Sequence, residues 1–384
     1  MKIVLVNVLG DTKSTGRIVK DLYFGYVKAG HDCTVCYGRL GISPEIQSYK
    51  IGNKFDMYEH AMETFLFDNH GLSSRGVTKR FVSFLRKYNP DVIHLHNIHG
   101  YYLNFPILFD YLNKEFKGKV IWTLHDMWTI TGHSAYLPEE EVYLESNPNA
   151  KKRLKEYPVT FIDKYQRNLQ LKKRYFSKRE ILFVTPSNWL TTIIKKSFLG
   201  KNEVKTIYNG IDLADFYPRE QEKQRKKIVL AVASIWEERK GLSDINILAE
   251  KLSDEFQVIV VGSVPKGVSL SPRLVHIEST NDTNELAQLY SKAYVFINPT
   301  YDDNFPTVNI ESLACGTPVI TYNTGGSPEA INRKTGLVVE QGNVIGLLEA
   351  VQTIQTTEEV RKACCKRGKE FSADGMVEKY SEIL

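Results

Sequence analysis

The sequence predicts an α/β protein built from two Rossmann-like domains, each a parallel sheet covered by helices on both faces. Three observations carry that expectation. Short apolar runs alternate with longer amphipathic stretches, the pattern of βαβ units, and the alternation restarts midway along the chain. Most of the apolar runs are continuous rather than alternating, as strands buried on both faces must be. At 384 residues the chain exceeds the roughly 250–300 at which a single core stops growing. The 42% hydrophobic and 25% charged residues are ordinary globular usage, which excludes a disordered or collagenous chain.

In the first half the predicted strands are Ile3–Asn7, Asp32–Cys36, Val92–His96, Val120–Thr123 and Leu182–Thr185, with a helix over Ile18–Ala29. Met1–Val6 reads as a buried strand and not as a signal peptide, since it lacks the basic lead and long apolar region. In the second half the strands are Lys227–Ala233, Gln257–Gly262, Leu274–Ile277, Val295–Pro299 and Thr317–Thr321. Between the halves, Asn209-Gly210-Ile211-Asp212, Phe216-Tyr217-Pro218 and the polar tract Arg219–Lys227 read as a linker. Asn-Gly supplies a turn of positive φ, and the tract is too polar to pack. The expected domains are therefore 1–205 and 206–371, with a C-terminal helix at about 372–384 that is free to pack back on the first.

No apolar run approaches the roughly 20 residues that span a bilayer. Five cysteines at 33, 36, 315, 364 and 365 give no disulfide framework and fit a reducing compartment, hence the cytoplasm. Cys33 and Cys36 lie on a strand, where core packing suits them better than redox chemistry, which wants a helix N-terminus. The net charge of +5 hides an asymmetry: residues 151–179 hold eleven Lys/Arg against Glu156 and Asp163. The rest of the chain is net acidic, which argues against a chain-wide nucleic-acid surface. The local patch is either a solvated helix face or a contact with the anionic inner face of a membrane.

Ligands of open α/β sheets bind beyond the carboxyl ends of the strands, which for two such domains means the cleft between them. After the first strand, Gly10–Arg17 forms a small polar loop opening a helix. Its N–H groups suit a phosphate or sugar oxygen, and Gly16 would allow close approach, although an ordinary Ser/Thr cap explains the same residues. Neither dinucleotide nor P-loop fingerprint is present. Further on, Asp303 and Glu311 stand eight residues apart, one on a loop and one inside the short helix that follows. Two carboxylates facing one crevice suit vicinal hydroxyls, and helix N–H groups beside them suit a phosphate.

The stretch Asp303-Asn304-Phe305-Pro306-Thr307-Val308-Asn309-Ile310-Glu311 resembles the E-x7-E motif of retaining glycosyltransferases of family 4, which have the GT-B fold of two Rossmann-like domains facing across a cleft. The resemblance implies that Asp303, replacing the usual Glu, contacts the donor sugar, that Glu311 holds the ribose hydroxyls, and that the backbone of Phe305, Pro306, Thr307 and Val308 lines the sugar and diphosphate. Glu237-Glu238-Arg239-Lys240-Gly241 is similar to the family's R-x4-K-G element, whose cations neutralise the leaving diphosphate. Lys240 matches; the family arginine position holds Ile235, which makes Arg239 the candidate substitute. Asn209–Asp212, Gly325-Gly326-Ser327-Pro328-Glu329 and Thr335-Gly336-Leu337 resemble further family elements in the same order.

Histidines gather at His94-Leu95-His96-Asn97-Ile98-His99, at His125-Asp126 and at Thr131-Gly132-His133. In the resembling family the histidine corresponding to His125 lies by the donor sugar and acceptor, and T-G-H recurs in a bacterial polysaccharide branch. The implied function is a retaining transfer of a hexose or N-acetylhexosamine from a nucleotide diphosphate sugar, UDP-sugar favoured, to a saccharide or polyprenyl-diphosphate-linked saccharide. His125, Asp303 and Lys240 would be catalytic, and Gly16 and Arg239 would join the donor site. Ser14, Thr15, Arg17, Tyr101 and His133 would meet the acceptor. No metal or cofactor is expected, the nucleotide sugar being a co-substrate. The alternatives are a metal-dependent hydrolase built on His94, His96 and His125, a GT-B epimerase or phosphorylase, and a non-catalytic sugar-nucleotide-binding protein.

Overall fold

In the first half of the chain, seven strands form one parallel sheet: β1 (Lys2–Leu9), β2 (Asp32–Arg39), β3 (Ser48–Lys50), β4 (Val92–Leu95), β5 (Lys119–Thr123), β6 (Leu182–Thr185) and β7 (Val204–Thr206). Their order is β3-β2-β1-β4-β5-β6-β7, every neighbour parallel. The second half adds β8 (Lys227–Ile235), β9 (Phe256–Ser263), β10 (Leu274–Ile277), β11 (Val295–Asn298), β12 (Val319–Tyr322) and β13 (Gly336–Val339). These six form a second parallel sheet in the order β10-β9-β8-β11-β12-β13. The computed structural model describes residues 1–144, 146, 150–220, 225–278, 280 and 282–384. Residues 221–224 of the predicted linker and the Lys151 side chain of the basic segment lie outside the described residues.

The chain divides into two units, Met1–Ile207 with Val377–Leu384, and Tyr208–Met376. Each sheet is covered on both faces, so β4, β6, β11 and β12 are buried along their whole length and need no polar alternation. In each sheet the chain runs outward from its first strand, then crosses to that strand's other side. The reversals fall between β1 and β4 and between β8 and β11, and the loops leaving those strands splay apart there to leave a crevice. Gly10–Arg17 follows β1, His96–His99 follow β4, Glu237–Gly241 follows β8 and Asp303 follows β11.

The first helix spans Lys13–Lys28, beginning well before the predicted Ile18. The reason lies in the preceding loop, which is pinned to its neighbour. Asp11 Oδ2 accepts from the Ser43 N–H at 3.0 Å and from its hydroxyl, and a Cβ on Gly10 would lie 2.1 Å from the Gly41 carbonyl oxygen. With Gly10–Thr12 fixed, the helix starts immediately, and Thr12 at its N-cap makes no side-chain capping bond. The C-terminal tail completes the first unit: Tyr380 Oη is 2.9 Å from Thr123 Oγ1. A Cβ on Gly25 would meet Val377 at 2.1 Å, so only glycine lets that helix and the tail pack this closely.

The basic segment is not a uniform surface patch. Lys172 is 1% exposed, with Nζ donating to the carbonyls of Trp128 at 2.6 Å and Thr131 at 2.9 Å and lying 3.6 Å from the Trp128 ring centroid. Burial pushes its pKa well down. Arg153 pairs with Glu141 and Glu156, and Arg179 donates to the carbonyls of Leu112, Phe116 and Gly118. Acids and carbonyls of the same unit thus take up Arg153, Lys172 and Arg179. Among the described residues no helix is long and apolar enough to cross a membrane.

Candidate functional site

In the second unit, the turn after β8 and the loop after β11 meet. Glu238–Lys240 forms one turn of 3-10 helix closed by Gly241 at φ 74°, where a Cβ would lie 2.1 Å from the Pro299 carbonyl oxygen. Only glycine fits both the left-handed backbone and that approach. The result is a short contact between two expected site residues: Lys240 Nζ donates to Asp303 Oδ2 at 2.5 Å, with the two side chains 20% and 19% exposed. A cation and a carboxylate so placed present complementary charge to a diphosphate and to sugar hydroxyls. Arg239 bends back, its Nε on Glu237 Oε2 at 2.9 Å and Nη1 on the Asp302 carbonyl at 3.0 Å. It therefore braces the loop that carries Asp303.

Glu311 lies inside the helix Thr307–Ala314 and is 3% exposed. The Tyr290 hydroxyl donates to its Oε2 at 3.0 Å, which fixes the carboxylate. The Phe305 side chain is buried against Tyr208 and Phe371, and its carbonyl accepts from Asn209 Nδ2 at 3.3 Å. That asparagine belongs to the N-G-I-D element, which thus shapes the loop.

Sequence reasoning missed two devices that hold this loop. Asp244 Oδ2 accepts from both Tyr301 Oη at 2.8 Å and Tyr322 Oη at 2.7 Å; burial, then the hydrogen bond to Asp244, pushes the Tyr301 hydroxyl up to about 12. Second, Asn298 Nδ2 donates to Asn309 Oδ1 at 2.9 Å, Asn309 donates to Ser327 Oγ at 3.0 Å, and Ser327 Oγ lies 2.7 Å from Thr321 Oγ1. This buried chain locks the helix of Glu311 to the ends of β11 and β12 and to the Gly325–Glu329 turn. An asparagine between the apolar Val308 and Ile310 of this helix was the available signal. Tyr208 Oη also donates to Glu329 Oε2 at 2.9 Å.

In the first unit, His96, His99, His125, Asp126 and Trp128 border one recess beyond β4 and β5. His96 Nδ1 is 3.0 Å from His125 Nε2, His94 Nε2 is 2.8 Å from Thr123 Oγ1, and His99 Nε2 is 2.8 Å from Asp126 Oδ2. Burial holds His125 down at about 4 and His94 at about 3. Burial likewise holds His96 well below 6.5, so His94, His96 and His125 are neutral hydrogen-bonding groups at neutral pH. Among the described residues no group of three or more His, Cys, Asp or Glu is arranged to hold a metal ion, and nothing supports the hydrolase alternative.

His133 is 1% exposed, with Nδ1 2.8 Å from Asp68 Oδ1 in a fully buried pair. The contact ties the Thr131–His133 segment to Asp68. Tyr101, at φ 72°, packs its ring 5.1 Å from His70 and 5.9 Å from Tyr157. Ser14 and Arg17 are exposed on the first helical turns. Beside Gly16 a Cβ would lie 3.0 Å from the Asp11 carbonyl carbon; the close approach this glycine allows is to its own chain.

Comparison with known proteins accounts for both units. The Glycosyltransferase Family 4 model matches residues 15–215, and the model for Glycosyl transferases group 1 matches residues 214–371. The chain belongs to glycosyltransferase family 4. This family 4 glycosyltransferase is 24% identical over 279 residues to the putative colanic acid biosynthesis glycosyl transferase WcaC of Escherichia coli K12, covering 69% of this chain and 67% of that one. It is 25% identical over 205 residues to the N,N'-diacetylbacillosaminyl-diphospho-undecaprenol alpha-1,3-N-acetylgalactosaminyltransferase of Campylobacter jejuni, covering 47% of this chain but only 52% of the relative. Its fold matches Anabaena HepE in complex with UDP and glucose, with TM-score 0.69, 14% identity, and 100% and 99% of the two chains covered. The GT-B architecture is thereby established for this family 4 glycosyltransferase.

Proposed function

We propose that the enzyme transfers a hexose or N-acetylhexosamine, with retention, from a nucleotide diphosphate sugar to a saccharide or lipid-diphosphate-linked saccharide in cell-surface polysaccharide synthesis. The observation that carries the reading is the Lys240–Asp303 pair at 2.5 Å, set on the loops at the switch point of the second sheet. There the diphosphate takes the ammonium and the sugar hydroxyls take the carboxylate. Glu311 accepts from the ribose hydroxyls, and the backbone from Phe305 to Val308 borders the sugar.

The barrier to C1–O cleavage falls as the negative charge growing on the diphosphate meets Lys240 and the N–H groups opening the helix Thr307–Ala314. Arg239, held by Glu237 and Asp302, contributes by positioning. With no carboxylate assigned as nucleophile, the acceptor hydroxyl attacks from the leaving-group face, and the departing phosphate takes its proton. His125, neutral because it is buried, serves as a hydrogen-bonding group to sugar and acceptor rather than as a cation. A UDP-sugar is the favoured donor; the UDP and glucose bound in the HepE structure support it, and the undecaprenol-linked acceptor named for the Campylobacter relative supports a lipid-linked acceptor here. Thermal-shift screening of UDP-, GDP- and ADP-sugars, followed by assay of slow hydrolysis of the best binder, tests the proposal. Stabilisation by one of them with measurable hydrolysis is expected; binding with no hydrolysis or transfer to any saccharide would leave a sugar-nucleotide-binding protein instead.

A further inference from the structure

The helix Lys54–Phe67 is turned inside out. The side chains it buries are His60 and Thr64. Its outer face carries Phe55 at 84% exposure, Tyr58 and Met62 at 64%, and Phe65, Leu66 and Phe67 between 42% and 49%. The apolar surface continues onto a neighbouring loop, where Phe161 is 75% and Val159 46% exposed. The Phe161 N–H donates to the Phe65 carbonyl at 2.6 Å and the two rings lie 6.5 Å apart.

This orientation is fixed by polar contacts. Asn53 and Asp56 form a reciprocal capping box at the helix start. Both nitrogens of buried His60 are engaged, Nδ1 2.8 Å from Ser74 Oγ and Nε2 accepting from the Gly71 N–H at 3.0 Å. Rotating the helix to hide its aromatics would break those bonds and leave buried polar groups unpaired. A contiguous apolar face of this kind on a protein surface marks a contact site.

The charges around it favour one occupant. Over residues 54–67 and 152–167 the exposed bases are Lys54, Lys152, Lys155 and Arg167, and the exposed acids are Glu59 and Asp163; Lys164 Nζ also lies 5.8 Å from the Phe67 ring. Aromatic and aliphatic side chains framed by lysine and arginine match the boundary between anionic headgroups and acyl chains. A second copy meeting the same face would set like charges against each other. We infer that the helix Lys54–Phe67 and the loop at 159–161 dock this enzyme on an anionic phospholipid bilayer, inserting Phe55, Tyr58, Met62 and Phe161 into the headgroup boundary. The inference holds whichever acceptor is used.

The test is co-sedimentation with vesicles of about one part phosphatidylglycerol to three of phosphatidylcholine. The intact enzyme should bind, and Phe55→Ser/Met62→Ser/Phe161→Ser should bind roughly tenfold more weakly or worse, with its nucleotide-induced thermal shift retained. In a second variant, Tyr58→Trp, the indole emission should move to the blue on adding these vesicles. Unchanged binding by the triple variant, or no spectral shift, overturns the inference. So does binding lost only on charge reversal of Lys173, Arg174 and Lys178, or a dimer of the intact enzyme that the triple variant abolishes.

Discussion

Lys240 and Glu311 are both expected to touch the donor, yet their surroundings separate their roles. Lys240 stands partly exposed against Asp303, so Lys240→Ala removes a charge without opening the core. Because the role proposed for it is to meet the charge that develops on the diphosphate, turnover should fall by about 10²–10³ while nucleotide binding weakens less; a fall confined to KM would reject a leaving-group role. Glu311→Ala, by contrast, strands the Tyr290 hydroxyl inside the core, at a cost of about 1–3 kcal/mol in stability besides the lost ribose contact. Glu311→Gln keeps an acceptor for Tyr290 and loses the charge. Its melting temperature should stay near wild type while nucleotide affinity drops about tenfold or more, and parallel losses in both would mean that Glu311 is only a structural residue. The motif spacing singled out Asp303, Glu311 and Lys240 in the sequence, and the structure brings Lys240 and Asp303 into contact. What it left hidden was Asp244 beneath Tyr301 and Tyr322, and Asp68 beneath His133, because those partners are remote in sequence and meet only once the sheets are built.

The strands tell a similar story. Those in the middle of each sheet announce themselves as apolar runs, whereas β3 and β7 are three residues each and lie at sheet edges. Ser48-Tyr49-Lys50 has no apolar pattern to read, and only pairing with β2 makes it a strand. Composition likewise misplaces Lys172, which reads as part of a basic surface until Trp128 and Thr131 supply carbonyls for it. The buried histidines of the first unit have a consequence for pH. Burial holds His60 and His94 at about 3, His125 at about 4, and His70 and His96 well below the ordinary 6.5. Between those values and 6.5 the unfolded chain binds protons that the folded one refuses, so stability is complete above about pH 6.5 and falls as the pH drops toward 4. His94 alone withholds on the order of a few kcal/mol by the time the pH reaches its folded value. The depressed carboxyl of Asp126 loses its contribution only below about pH 4, which keeps the two effects apart. Urea midpoints should therefore decline steadily from pH 7 to pH 5, and His94→Gln should flatten the slope. Midpoints that stay level over that range would mean that water reaches these rings.

Each sheet has its own apolar core, one gathered around Trp122, Trp128 and Phe176 and another around Val229, Leu248 and Tyr322, and each has its own reversal of strand order. The same architecture could therefore offer a ligand crevice twice, and fold alone does not say which unit takes the nucleotide. Side-chain chemistry does discriminate. The second unit sets an ammonium against a carboxylate and opens a helix beside them, which suits a diphosphate; the first presents neutral imidazoles held by burial, which suit hydroxyls. A ligand that binds one unit stabilises the local openings of that unit and no other, by an amount set by its concentration relative to its Kd, about 2.7 kcal/mol at a hundredfold excess. Hydrogen exchange with saturating UDP, or whichever nucleotide the thermal screen selects, should then slow at residues 237–244, 299–312 and 323–330. The amides around His96 and His125 should keep their free-enzyme rates until an acceptor is added. Protection centred instead on the first unit would assign the nucleotide to the imidazole recess, and Lys240 and Asp303 would revert to an ion pair that merely fastens two loops together.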